Sequence, residues 1–271
     1  MPVVQPEAFI LPFDNTQAVQ VIREAAAMSL SMRASAVAVV KPDQTLVTQA
    51  DRQLEEFLRQ RLSDLAPEFS FLGEEGGLTG DPSAPCWIID PIDGTTNFVR
   101  GVPLWCISVG VVWQGQAVWG CIAVPPQDEL LWGAPGQGAW LAHLSRPDEE
   151  PQRLQTFDSD TLMQEDLIAC NTMAEAAVDF TRVPCRLRNF GSLAYHLVAL
   201  SRGALCCALS RQHKLYDIAA GIAICHEAGC VSRYLNGEPW LAEVVAPKEP
   251  MPLLVAPPQT MEILLQKLRL D

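Results

Sequence analysis

The chain has 271 residues, 49% apolar and 19% charged, with a formal charge of −13 at neutral pH. That length holds one large domain or two fused smaller ones with an ample core, and the composition excludes wholesale disorder. The strong negative charge argues against nucleic acid as the main partner, because binding by counterion release needs a concentrated basic surface.

In chain order, the amino-terminal stretch "MPVVQPEAFILPFDN" lacks the basic start and long apolar centre of a signal peptide. No apolar run approaches the roughly 20 residues of a membrane helix, so a cytoplasmic setting without a membrane partner is expected. Helical spacing behind the possible caps Asp14, Asn15 and Thr16 predicts a first helix over about 15–33. A second helix is predicted over about 50–65, where Thr48 and Asp51 match a capping box. From Phe69 to Leu141 short apolar runs cut by Gly, Pro and Asp ("FSFLG", "CWIID", "LWCISVGVVW", "QAVWGCIAVP", "ELLWGA", "GAWLA") predict a strand-rich sheet with hairpins.

The polar stretch 145–160 is the best candidate boundary, between an N-terminal half (1–145) and a C-terminal α/β half (146–271) that form one compact unit. Beyond it strands and helices alternate: "EDLIAC" strand, "TMAEAAVDFTR" helix, "CRLRNF" strand, "SLAYHLVALSR" helix, "GALCCALS" strand, "YDIAAGIAICHEA" helix, "PLLVAP" strand and "PQTMEILLQKLR" helix. That order implies mixed sheets layered with helices, an α+β class. The nine cysteines lie mostly in or beside apolar runs and form no C-x-x-C pair, which predicts buried reduced thiols rather than a disulfide or zinc framework.

The chemistry concentrates in "WIIDPIDGTTNF", residues 87–98. Asp90 and Asp93 sit where an apolar strand gives way to turn residues, and two close carboxylates disfavour each other's ionisation unless they share a proton, diverge, or share a cation. Taken singly, each acid also has a structural reading. "DPIDG" can be a turn, Asp51 a helix cap, Glu74 and Glu75 a solvated loop, and Asp217 a cap. Together, Glu74, Asp90, Asp93 and Asp217 occupy strand ends or helix starts, where loops converge into sites. Oxygen donors without histidine or cysteine favour magnesium or manganese over zinc. The glycine turn Gly94-Thr95-Thr96 offers backbone N–H groups to an anion such as phosphate, without a Walker lysine or a full GxGxxG. Carboxylate-held metal beside an anion cradle suggests phosphate-ester hydrolysis.

"LVTQAD", "GEE", "DPIDGTTNF" and "DIAAG", in this order along the chain, make it resemble the inositol monophosphatase family of magnesium-dependent, lithium-sensitive phosphatases, from Lys41 through the final helix. The resemblance implies a layered αβαβα sandwich of the inositol monophosphatase and fructose-1,6-bisphosphatase type, commonly a homodimer, acting on a small phosphorylated metabolite. It implies two or three Mg2+ per site, with Mn2+ possible. Glu74, Asp90 and the Ile92 carbonyl would hold the first, catalytic metal, and Asp90, Asp93 and Asp217 the second. Thr95, linked to Asp51, would orient the attacking water. The Gly94 and Thr95 amides would bind phosphate, with Lys41 near it. Gly191 and Ser192 match the family's substrate-side helix start.

Two positions depart from the family pattern. Tyr216 stands where a Trp usually precedes the last metal-binding Asp. Ser210 stands where inositol-hydrolysing members present a glutamate, beside Arg211, His213 and Lys214, a basic cluster suited to a second negative charge. An inositol-monophosphate-like substrate therefore stands beside fructose 1,6-bisphosphate, histidinol phosphate and 3′-phosphoadenosine 5′-phosphate as alternatives. A non-catalytic regulatory dimer on the same fold is the reading of another class.

Overall fold

The computed structural model describes residues 9–33, 38–40, 46–243 and 251–270. Helix α1 (Asn15–Arg33) starts after Asp14, whose carboxylate accepts from the Thr16 N–H at 2.8 Å. Strands β1 (Ala38–Val40) and β2 (Leu46–Thr48) pair antiparallel, and α2 (Gln49–Ser63) follows on the capping box formed by Thr48 and Asp51. The next elements are β3 (Ser70–Gly73), β4 (Gly77–Thr79), β5 (Cys86–Asp93), the short α3 (Thr95–Arg100), β6 (Cys106–Trp113), β7 (Gln116–Val124), β8 (Glu129–Ala134), β9 (Gly138–His143) and β10 (Gln152–Leu154). The C-terminal elements are β11 (Leu167–Cys170), α4 (Thr172–Glu175), β12 (Val178–Asp179), β13 (Arg186–Arg188), α5 (Leu193–Ser201), β14 (Cys207–Ser210), α6 (Leu215–Glu227), β15 (Val231–Tyr234), β16 (Leu253–Ala256), α7 (Pro258–Lys267) and β17 (Arg269–Leu270).

An eight-stranded sheet runs in the order β10-β9-β8-β7-β6-β5-β3-β4, antiparallel throughout except for the parallel pair β3–β5. A five-stranded sheet runs β13-β11-β14-β16-β15, with β11 parallel to both its neighbours. Side-chain alternation distributes the cores. Trp87 and Ile89 of β5 pack with Ile22, Leu54 and Leu58 of α1 and α2, while Cys86 and Ile88 face Ile218 and Ile222 of α6. Helices α5 and α6 thus lie between the sheets, and Met261 and Leu264 of α7 cover the outer face of the second sheet against Ile168 and Leu254. This is the αβαβα order, and it explains why the strand runs are continuously apolar: the sheet faces that carry them are covered on both sides.

One row of small residues sets how closely α6 approaches. Gly110, Gly120 and Gly133 are cross-strand neighbours on β6, β7 and β8. A Cβ on Gly120 would stand 2.2 Å from the Ala220 carbonyl oxygen, one on Gly110 2.9 Å from the Ala220 nitrogen, and one on Gly133 3.0 Å from the Ile224 Cα. The helix that carries Asp217 is bedded directly on sheet backbone.

Two helix expectations are corrected. The helix expected through "TMAEAAVDFTR" is a single turn, Thr172–Glu175, capped by Asn171; Val178 then turns inward and β12 pairs with β17 at the carboxyl end. For the same reason the last helix stops at Lys267 rather than running on to Arg269. The polar stretch 145–160 contains an edge strand, β10, because Leu154 is buried in register with Ala139. Strand β15, "VSRY", had no apolar run to announce it. All nine cysteines are free thiols; seven are buried, and Cys185 and Cys206 are half-buried.

Gly120→Ala is expected to destabilise the fold by about 1–3 kcal/mol, the usual cost of overpacking a tight core. Urea or thermal unfolding with unchanged secondary structure in the native baseline would measure it; wild-type stability would show that α6 is not seated on this row.

Candidate active site

The site is assembled where chain direction brings strand ends and helix starts together. Strands β3 and β5 are parallel, so their carboxyl ends share one edge of the sheet. The Glu74 N–H donates to the Ile89 carbonyl at 3.1 Å, which sets Glu74 beside Asp90. Between Asp90 and Asp93 the register with β6 slips: Asp90 pairs with Ser108 and Asp93 with Cys106, one residue more on β5 than on its partner. Such a bulge returns residues i and i+3 to the same face, which a regular strand would not. Pro91 occupies this gap in the ladder, where the N–H it lacks is not required.

Four of the carboxylates are anchored by hydrogen bonds. Asp51 Oδ2 accepts the Thr48 N–H at 2.8 Å and the Thr48 hydroxyl at 2.6 Å. Asp90 Oδ1 accepts the Ile92 N–H at 3.1 Å, and Asp217 Oδ2 accepts the Lys214 N–H at 2.8 Å. Asp93 Oδ2 accepts the Ser192 hydroxyl at 2.8 Å and, in a short contact, the Ala194 N–H. Asp51 and Asp217 are therefore helix-capping residues and members of the cluster at once. The Thr95 hydroxyl lies 3.1 Å from the Ile92 carbonyl oxygen and 3.5 Å from Asp51 Oδ1.

The electrostatics follow from burial. Asp90 is buried, and burial, then Asp93, Glu74, Asp217 and Asp51 in turn, push its carboxyl well above the usual range. Burial also raises Asp217 well up, with Asp93 the next cause, and raises Asp51 against the hydrogen bonds from Thr48. Asp93 is pushed up by burial to about 6, opposed by the donors at Ala194, Ser192, Gly94 and Leu193. Asp51, Glu74 and Glu75 also offer carboxylate oxygens within 4.8 Å of one another. This donor set is all oxygen. Cys106 Sγ, 3.9 Å from the Ser192 hydroxyl, is held as a thiol by burial. Clustered acids that cannot all ionise unaided, with no histidine or thiolate among them, fit a hard divalent cation.

Gly94 has φ +90°, and a Cβ there would stand 3.1 Å from the Ser192 Cβ and 3.2 Å from the Leu104 carbonyl oxygen, so glycine is required at the start of α3. Gly191, at φ +74°, packs against the Asn97 amide, which donates to the carbonyls of Leu104 at 2.6 Å and Phe190 at 2.7 Å. The Asn97 clamp was not singled out in the sequence; its place in "GTTNF" was the available signal. Ser192 caps α5 and accepts from the Tyr195 N–H at 3.1 Å, so its hydroxyl is shared between that cap and Asp93.

Ser210 and Arg211 form a second group at the end of β14. The Ser210 hydroxyl meets His213 Nδ1 at 3.1 Å, and the Arg211 backbone is tied to the Asn171 amide. Burial lowers His213 to about 4. It is neutral at pH 7, so the expected basic cluster there loses one of its three members. Tyr216 accepts through its carbonyl from the Ser108 hydroxyl at 3.4 Å, joining the start of α6 to β6. Lys41 lies outside the described residues.

The family model described as the inositol monophosphatase family matches residues 13–269, and the chain belongs to that family. A histidinol-phosphatase of Mycobacterium tuberculosis is 35% identical over 205 residues, 73% of this chain and 77% of the relative. An inositol-1-monophosphatase of Mesorhizobium japonicum is 33% identical over 202 residues, 68% of this chain and 70% of the relative. Among solved structures, the extragenic suppressor protein SuhB of Bartonella henselae superposes with a TM-score of 0.77 at 25% identity, covering 93% of this chain and 96% of that one. The chain is thus a phosphoric monoester hydrolase. No helix among the described residues is long and apolar enough to cross a membrane.

An unfolded Asp titrates near pH 3.9, whereas in the native protein Asp93 is raised to about 6 and Asp90 and Asp217 are raised well above the same starting value. Over that window the metal-free native state holds more protons than the unfolded chain, so these groups stabilise it less as pH rises. His196 and His213, lowered by burial to about 4, contribute the opposite slope. The clean readout is therefore the rise in melting temperature on adding magnesium, measured at pH 5 and pH 7.5. A larger rise at pH 7.5 is expected, because protons compete with the cation for the cluster; equal rises would exclude proton competition at these carboxylates.

Proposed function

We propose that the protein is a Mg2+-dependent phosphomonoesterase acting on a small phosphate ester, an inositol-monophosphate-like metabolite being the family's reference substrate. The observation that carries this reading is the convergence of Asp51, Glu74, Asp90, Asp93 and Asp217 from separate strand ends and helix starts onto one cluster whose ionisation requires a counter-cation. Glu74, Asp90 and the Ile92 carbonyl would hold one ion, and Asp90, Asp93 and Asp217 another, giving two or three Mg2+ per site, with Mn2+ as the alternative. When bound, the cations supply charge neutralisation and Lewis acidity at the phosphate.

The rest falls to the chain's own groups. The Gly94 and Thr95 backbone N–H groups meet phosphate oxygens at the start of α3. The Thr95 hydroxyl, between Asp51 Oδ1 and the Ile92 carbonyl, orients a water for attack and relays its proton toward Asp51. Burial favours the protonated form of Asp51, which suits a proton acceptor working near neutral pH. Gly191 and Ser192 border the alcohol side, with Ser192 acting through Asp93.

A second substrate reading, histidinol phosphate, is supported by Ser210. Its hydroxyl is bonded to a neutral His213, so this position offers no carboxylate to the hydroxyls of a polyol. Lithium sensitivity, a homodimer and a cytoplasmic setting belong to the same reading.

Phosphate release from inositol 1-phosphate, histidinol phosphate, fructose 1,6-bisphosphate and 3′-phosphoadenosine 5′-phosphate, with magnesium and with EDTA, tests it. Turnover abolished by EDTA and by Asp93→Ala in a folded protein is the expected result. An Asp93→Ala variant with wild-type turnover would refute the mechanism and favour a regulatory role.

A further inference from the structure

The acids of the site leave one buried carboxylate unused. Glu55 lies on α2 one turn beyond Asp51, with 3% of its surface exposed. Its hydrogen bonds go to the turn beside Glu74 and to Arg59. Its Oε2 accepts the Glu75 N–H at 2.7 Å and its Oε1 the Gly76 N–H at 2.8 Å, both in the turn that carries Glu74 out of β3. Arg59, one turn further along α2, closes the arrangement. Its Nε donates to Glu55 Oε1 at 2.8 Å, its Nη2 to the Gly77 carbonyl at 2.7 Å, and its Nη1 to the Thr79 hydroxyl at 3.0 Å.

The turn is shaped around this carboxylate. A Cβ on Gly73 would stand 2.2 Å from Glu55 Oε1, and one on Gly76 would stand 2.7 Å from it. Two of the glycines flanking "EE" are thus explained by the room Glu55 occupies. A buried carboxylate is costly unless its oxygens are fully engaged. Here two N–H donors and a guanidinium engage it, and all of them come from the Glu74 turn or the same helix face.

We propose that Glu55 is a positioning residue for Glu74. Backed by Arg59, its carboxylate templates the Glu74–Gly77 turn and so fixes the Glu74 carboxylate toward Asp51 and Asp90. The inference rests on the reading of Glu74 as a cation ligand. Outer partners that hold a ligand in place are worth about 10–100-fold in metal affinity, and a loss in that range is the effect expected when Glu55 is changed.

The experiment compares Glu55→Gln, Arg59→Met and Glu74→Gln by calorimetric titration of the metal-free proteins with Mg2+, alongside the magnesium dependence of turnover. Glu55→Gln keeps the shape but places an amide N–H₂ against one of the two backbone donors. It is expected to weaken Mg2+ binding about tenfold or more, with kcat recovering at high magnesium and KM for the phosphate ester little changed. Arg59→Met is expected to reproduce a smaller loss of the same kind, and it carries the measurement should Glu55→Gln fail to fold. Wild-type magnesium affinity in folded Glu55→Gln, while Glu74→Gln loses it, would overturn the positioning role alone. Wild-type affinity in Glu74→Gln would overturn the reading of Glu74 as a ligand. A uniform fall in kcat with unchanged magnesium affinity would mean that Glu55 serves only the fold.

Discussion

Mutual repulsion among buried carboxylates is the constraint around which this molecule is arranged. Asp90 has Asp93, Glu74, Asp217 and Asp51 as charged neighbours, all of its own sign. Such a cluster persists only if its members are individually anchored and collectively neutralised. The fold supplies the anchors from backbone N–H groups, three at helix starts (Thr48 for Asp51, Lys214 for Asp217, Ala194 for Asp93) and one at the bulge of β5 (Ile92 for Asp90). Helix starts are the economical place for this, since their first N–H groups have no partner within the helix. The collective neutralisation is left to a cation.

That arrangement makes placement of the helices decisive. Asp217 rides on α6, and α6 reaches its depth only because β6, β7 and β8 present glycine where it crosses them. Asp51 rides on α2, whose Glu55 and Arg59 hold the turn that carries Glu74. Two acids on one helix, a turn apart, therefore have different tasks: one faces the cluster and the other shapes the chain that delivers a further member of it.

What the sequence disclosed divides along the same line. Local signals were legible: the Thr48–Asp51 capping box, the strand "CWIID", the turn residues after it, and the order of the acidic motifs. Asp51 and Asp217 also show that a cap and a site residue are compatible readings of one side chain. Features that depend on tertiary approach were not legible. Nothing local distinguishes Gly110, Gly120 and Gly133 from hairpin glycines until their register and α6 are known. Val178 and Leu154 gave no sign that distant strands, β17 and β9, would pair with their segments. Glu55 was visible only as one more acid on an amphipathic helix. His213 looked like a cation beside Arg211 and Lys214 until burial removed its charge.

The two halves of the site are linked by Asp93. Its Oδ2 takes the hydroxyl of Ser192 and the N–H of Ala194, so the carboxylate at the end of β5 also fixes the start of α5. Asn97 reinforces the same seam by bridging Leu104 and Phe190. A change of charge at Asp93 therefore acts on both sides at once, on the cation-binding cluster and on the helix start at Gly191 and Ser192. Ser210 and Arg211 are held differently, through His213 and Asn171. His213 and Asn171 are not among the acids of the cluster, so these two hydrogen bonds can vary while the anchors of the acids stay in place. On the proposed reading, the phosphate chemistry follows from a constraint that pervades the fold, and Ser210 and Arg211 are the positions at which the choice of alcohol would be set.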